Sequence, residues 1–204
     1  MGCCMGIWEK ITTADSVVDL ISKLAEGEEP TEPIEPQPNK PRPKPKPKPP
    51  TPKEPAGDLP AFPMGDVVVT DVKYLHPTVR NAVLSAIQEC KSSGNSTKIV
   101  ETYRTTDRQD ILYAQGRTDP GNIVTQAQGL ESYHNYGLAI DVSPVNTKIV
   151  EVFENCGFEW GGRWKTFKDT PHFQMSFGLS VSDLKNLYYQ DGIKSVWWYI
   201  GEGD

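Results

Sequence analysis

Between Lys40 and Pro50, proline occupies almost every second position, alternating with lysine or arginine. No feature constrains the fold of this chain more. Each proline fixes φ and removes a backbone donor, so neither a helix nor a central strand can run through the block. What remains is polyproline II, at roughly 3.1 Å per residue. Most of the 18 prolines lie within residues 27–57. That segment reads as a semi-rigid spacer, about 80–90 Å long if fully extended. The same residues also suit a ligand for a proline-recognising domain, or a basic arm touching anionic wall polymer. The 204-residue chain is thus expected to fall into an N-terminal segment (1–26), a Pro/Lys-rich linker (27–57) and a folded domain (58–204).

In the first segment Ile7, Trp8, Ile11, Ala14, Val18, Ile21 and Ala25 recur at helical spacing, with Lys10, Asp15, Asp19 and Lys23 opposite. This predicts an amphipathic helix over 7–25. Alone it is marginal, so its apolar face calls for a partner. The polar face is not strongly basic, which favours self-association or docking on a protein over a membrane surface. Gly6 stands where myristoylation requires Ser or Thr, and Cys3 and Cys4 read as free thiols. No basic n-region followed by an apolar h-region opens the chain. A formal net charge of -6 argues against a generic nucleic-acid binder, which needs excess cations to meet phosphates.

Beyond residue 58 helical and strand patterns mix without regular βαβ alternation. Pro77, at a first turn, leads into Val79, Val83, Ala86, Ile87 and Cys90, and Gly94 ends that helix. Lys98–Thr105 is strand-like, with Val100, Thr102 and Arg104 on one face. Thr106 and Gln109 suggest a capping box for a helix stopping at Gly116. Ile149, Val152, Phe153 and Cys156 mark another helix, and Ser180 with Asp183 suggests a cap before Leu184, Leu187 and Tyr188. Cys90 and Cys156 fall on apolar stripes and read as buried, reduced cysteines. The expected fold is α+β, a small antiparallel sheet with flanking helices.

Two of the three histidines lie near carboxylates. If 138–143 is a strand, Asp141 projects opposite Leu138, Ile140 and Val142. Along 172–177, His172, Gln174 and Ser176 face away from Phe173, Met175 and Phe177. Should the two strands be neighbours, Asp141 and His172 converge. His134 lies seven residues before Asp141, an odd offset that excludes a shared face on one unbroken strand. A bend at Gly137 lets it return. Two imidazoles and one carboxylate leave a fourth tetrahedral position open, as in a catalytic zinc site. Asp169 is then placed for proton transfer, and Arg104 for stabilising an oxyanion. The same residues admit plainer roles: a loop cap for His134, a core histidine at His172, turn caps at Asp141 and Asp169, an ion pair at Arg104. His76, before Pro77 and without an acidic neighbour, reads as structural.

At these residues the sequence resembles the M15 family of zinc peptidases, which includes D-Ala-D-Ala carboxypeptidases and L-alanyl-D-glutamate endopeptidases of phage endolysins. The family pattern SxHxxGxAxD is matched by Ser132, His134, Gly137, Ala139 and Asp141. The later histidine, with an acid three residues before it, is matched by His172 and Asp169. Gln109, the run Leu112–Thr118, and Gly157–Gly162 resemble the endolysin-type subgroup. The resemblance spans roughly residues 59–188, leaving out the Trp197-Trp198-Tyr199 tail. Arg163 departs from it, standing where an acid is expected.

The resemblance implies a hedgehog/D-Ala-D-Ala-peptidase-like fold and Zn2+ held by His134, Asp141 and His172. It also implies Asp169 as general base and Arg104 as stabiliser of the transition state. Ser132, Trp160, Trp164 and Gln174 are candidate substrate contacts, with Phe167 as a further cleft wall. The implied reaction is hydrolysis of the L-Ala–D-Glu bond of peptidoglycan stem peptides by a phage or prophage endolysin. Such an enzyme is made in the cytoplasm without a signal peptide and reaches the wall after holin-assisted release. A D-Ala-D-Ala carboxypeptidase is the alternative within enzymes. An inactive zinc-stabilised wall-binding module is the alternative of another class, disfavoured because structural zinc needs neither Asp169 nor Arg104.

Overall fold

Each helix of the domain starts where a side chain satisfies its free backbone N–H groups. In this computed structural model, which describes residues 59–201, helix α1 (Pro77–Ser92) begins behind His76, whose Nδ1 accepts from the Thr78 amide at 3.3 Å. Helix α2 (Thr106–Ala114) is capped by Thr105, which accepts from the Arg108 amide at 3.0 Å. The cap is therefore one residue earlier than the Thr106–Gln109 pattern suggests. Gln109 is freed from capping and is fully buried. Helix α3 (Thr147–Asn155) is capped by Asn146. Helix α4 (Val181–Gly201) opens with the expected reciprocal pair, Ser180 with Asp183.

Four short strands form one antiparallel sheet: β1 (Lys98–Glu101), β2 (Ala139–Ser143), β3 (Glu159–Trp160) and β4 (His172–Gln174), in the order β1-β2-β4-β3. This agrees with the α+β expectation. Ile140, Val142 and Phe173 turn to one side, into a core shared with Val79, Val83, Ile149, Phe153 and Leu184. Burial of each such side chain stabilises the fold by about 1.5–3 kcal/mol. On the opposite side Asp141 pairs directly with His172, and Ala139 with Gln174.

The register of β1 shifts between Ile99 and Glu101. Such a bulge leaves one residue unpaired and reverses the alternation beyond it. Val100 is 46% exposed, and Glu101 rather than Val100 lies opposite Asp141. The expected common face for Val100, Thr102 and Arg104 is thereby overturned. Thr102 and Arg104 are buried, and the strand ends at Glu101.

Helix α4 is broken at Asp191 and Gly192. Its second half contains the Trp197-Trp198-Tyr199 tail and contributes Val196, Trp197 and Ile200 to the core. The indole of Trp197 donates to the Tyr136 carbonyl at 2.8 Å. Both Cys90 and Cys156 are free; Cys90 is buried and Cys156 half-buried. Among the described residues no helix is long and apolar enough to cross a membrane. The helix expected over 7–25, the Pro/Lys-rich spacer, Cys3 and Cys4 lie outside the described residues.

Candidate metal centre and cleft

His134 sits on a 3-10 turn (Tyr133–Tyr136) that ends at Gly137, in left-handed conformation at φ 67°. The bend is sterically specific. A Cβ on Gly137 would lie 2.6 Å from the Tyr74 carbonyl oxygen and 3.0 Å from the Trp197 ring. Ser132 caps the turn by accepting from the His134 amide at 3.3 Å. Three further bonds fasten the turn to the segment after β1. The Arg104 amide donates to the His134 carbonyl (3.1 Å), Asn135 Nδ2 donates to the Arg104 carbonyl (2.8 Å), and His134 Nδ1 meets the Thr102 carbonyl.

These constraints bring His134, Asp141 and His172 together, with one possible ligand atom from each within 4.8 Å of the others. His134 Nε2 lies 3.1 Å from His172 Nδ1 and 3.2 Å from Asp141 Oδ1; His172 Nδ1 is 3.4 Å from the same oxygen. The outer nitrogens fix the tautomers. His134 Nδ1–H donates to the Thr102 carbonyl, and His172 Nε2–H donates to Gln174 Oε1 at 3.0 Å. With both rings neutral, the inner nitrogens present lone pairs to each other and to a carboxylate, three acceptors that need a proton or a metal ion between them. A cation resolves that arrangement, and nitrogen and carboxylate donors with oriented second nitrogens suit zinc.

Burial raises the pKa of Asp141, but the two histidines outweigh it and hold the carboxyl well below its usual range. Burial also depresses His134, helped by the positive charge of Arg104. For His172 burial acts in the same sense, yet hydrogen bonding and charge from Asp141 prevail and raise it. Asp169 is raised, chiefly by burial, with His172 opposing.

A cleft of about 370 Å³ opens beside the cluster, lined by Arg104, Ser132, Trp164, Phe167, Asp169, His172 and Gln174 among others. Trp164 lies against the His172 ring at 5.1 Å between centroids. Trp160 does not line the cleft. Its ring stacks on Phe173, its N–H donates to the Thr170 carbonyl at 2.8 Å, and Gly162 leaves room for it. These contacts make Trp160 packing for the β3–β4 pair. Gln174 lines the cleft, but its amide is engaged by His172 and Glu159. Arg163 forms a two-pronged pair with Glu154 at 2.6 and 2.8 Å, clipping the loop before Trp164 onto α3.

Arg104 is more encumbered than an isolated oxyanion donor. Its Nε and Nη2 both donate to Glu101 Oε2, Nη2 also donates to Asp141 Oδ2 (3.0 Å), and Nη1 donates to Gln109 Oε1 (3.0 Å). Four of five N–H groups are taken. Sequence reasoning missed Glu101 and the clamping role of Gln109. An acid three residues before the arginine was the available signal.

A family profile described as D-alanyl-D-alanine carboxypeptidase matches residues 125–175, a span containing His134, Asp141, Asp169 and His172. The peptidoglycan L-alanyl-D-glutamate endopeptidase CwlK of Bacillus subtilis (strain 168) is 41% identical over 122 residues, covering 50% of this chain and 73% of that protein. The chain belongs to the M15 peptidase family. A second relative, the L-alanyl-D-glutamate peptidase of Listeria phage A118, is 28% identical over 123 residues, covering 53% of this chain and 41% of the phage protein. The crystal structure of the Serratia marcescens L-Ala D-Glu endopeptidase ChiX aligns at 27% identity with a TM-score of 0.41, covering 55% of this chain and 92% of that one.

Proposed function

We propose that this M15 peptidase hydrolyses the L-Ala–D-Glu bond of peptidoglycan stem peptides, with Zn2+ held by His134, Asp141 and His172. The observation that carries the reading is the facing of two imidazole lone pairs and one carboxylate oxygen beside a cleft that also contains Asp169. The named activity of the Bacillus relative supplies the bond.

When bound, the ion supplies a Lewis acid that polarises a carbonyl oxygen and lowers the pKa of water. The protein's own groups do the rest. Asp169 accepts a proton from the attacking water and returns it to the leaving amine, a role suited by its burial-raised pKa. Arg104 lines the cleft with one Nη1–H outside its clamp, and this group meets negative charge developing on the scissile carbonyl. Trp164 and Phe167 exclude water from one wall, and Ser132 fixes the His134 turn.

Release into the wall by a holin belongs to the same proposal, prompted by the phage relative. So does self-association or docking through the stretch 7–25. The description of the matching profile favours a second reading, removal of terminal D-Ala. Digestion of defined muropeptides by zinc-loaded protein, followed by mass spectrometry, separates the two. A new N-terminal D-Glu supports the endopeptidase, whereas free D-Ala supports the carboxypeptidase. No new amine at full zinc occupancy ends both.

A further inference from the structure

Glu101 is an acid that the proposed chemistry leaves without a task. It is 5% exposed and lies directly across the sheet from Asp141. One of its oxygens takes two N–H groups of Arg104, and the other takes Nε of Arg108 at 3.2 Å. Arg108 continues to Asp66 at 3.1 Å. Arg104 in turn reaches Asp141 Oδ2, leaving Oδ1 turned to the two histidines. The row therefore alternates in sign, buried at Glu101 and Arg104 and exposed at Asp66, and Glu101 separates two guanidinium groups.

A guanidinium 3.0 Å from a ligand carboxylate orients that carboxylate, but its charge repels any divalent cation on the other side. The repulsion is largest where water is excluded. An adjacent buried carboxylate offsets it. We propose that Glu101 is a positioning residue for the cation: it neutralises and aims Arg104, so that Arg104 holds Asp141 in place without weakening metal binding. The inference depends on the cation reading of His134, Asp141 and His172. Gln109 completes the clamp with a neutral bond to Nη1 while its Nε2 donates to the Ala127 carbonyl at 2.7 Å on the cleft wall.

The test is zinc affinity of the full chain, measured by competition with a chromophoric chelator on metal-stripped protein. Glu101→Gln keeps the shape and removes the charge, and zinc should bind about 10–100-fold more weakly, the range for partners behind metal ligands. Adding Arg104→Gln removes the uncompensated cation, so the double variant should bind zinc several-fold more tightly than Glu101→Gln alone. Unchanged affinity in Glu101→Gln, or no recovery in the double variant, overturns the proposal. Should Glu101→Gln fail to fold, Arg104→Gln alone and the double variant differ only in the Glu101 charge. Because Glu101 acts through Arg104, the two should bind zinc about equally, and a difference of about tenfold or more between them overturns the proposal. Wild-type protein that binds no zinc defeats the cation reading itself, an outcome distinct from normal binding in every variant.

Discussion

Gly161 offers the sharpest test of how Asp169 is held. A Cβ added there would lie 2.6 Å from the Asp169 carbonyl oxygen and 3.2 Å from the Cβ atoms of Asp169 and His172. Reaching about 3.3 Å, the short end of a carbon–oxygen contact, requires the Asp169 backbone to retreat by about 0.7 Å. The retreat cannot be absorbed locally. The Asp169 amide donates to the Gly161 carbonyl at 3.2 Å, and its carbonyl accepts from the His172 amide at 3.3 Å. Displacing a reacting group by up to about 1 Å lowers turnover by about 10–100-fold. Overpacking also destabilises the fold by about 1–3 kcal/mol. His134 and Asp141 belong to other segments, whereas His172 shares the crowded contact, so Gly161→Ala should bind zinc more weakly and, at saturating zinc, lose kcat on a defined muropeptide by that factor. Gly201→Ala, with nothing within 4 Å, is the control. Wild-type turnover in Gly161→Ala refutes the argument that this contact places the base.

Asp169→Ala should retain zinc and lose about 10²–10⁴ in kcat, whereas His134→Ala should lose both; equal metal loss in the two contradicts their separate roles. Chelation should abolish hydrolysis, and added zinc should restore it. Zinc affinity should fall as pH falls, because the ligating nitrogens must be unprotonated. Asp141 outweighs burial to raise His172 above its ordinary value of 6.5, so proton competition should begin above that pH in a zinc titration. Affinity that stays flat through the histidine range would count against the assigned donors. Trp197→Phe removes the donor to the Tyr136 carbonyl together with part of the ring that stands against Gly137, and should destabilise by about 1–3 kcal/mol. Trp197→Ala should cost about 3–5 kcal/mol in urea unfolding.

Strand parity made the pairing of Asp141 with His172 legible, because alternation is a local rule and both strands obey it. The odd offset of His134 likewise pointed to a bend, and Gly137 makes one. Arg104 was placed on the wrong face because a bulge depends on the partner strand, which the residues of β1 do not announce. The stacking of Trp160 on Phe173 was not legible, because an aromatic beside a cleft motif reads alike whether it faces substrate or a neighbouring strand. The tail was underrated although Ile193, Val196, Trp197 and Ile200 keep helical spacing. Its partner, Tyr136, lies far outside any local window.

That last distance bears on the order in which the site can come into being. The prop beneath the His134 turn is supplied 61 residues downstream of Tyr136. During synthesis all three proposed ligands leave the ribosome well before Trp197 does. A nascent or truncated chain thus has every chemical group of the site but lacks the indole that stands against Gly137. Removing the last turns of α4 should therefore loosen the His134 turn while leaving all three proposed ligands in the chain.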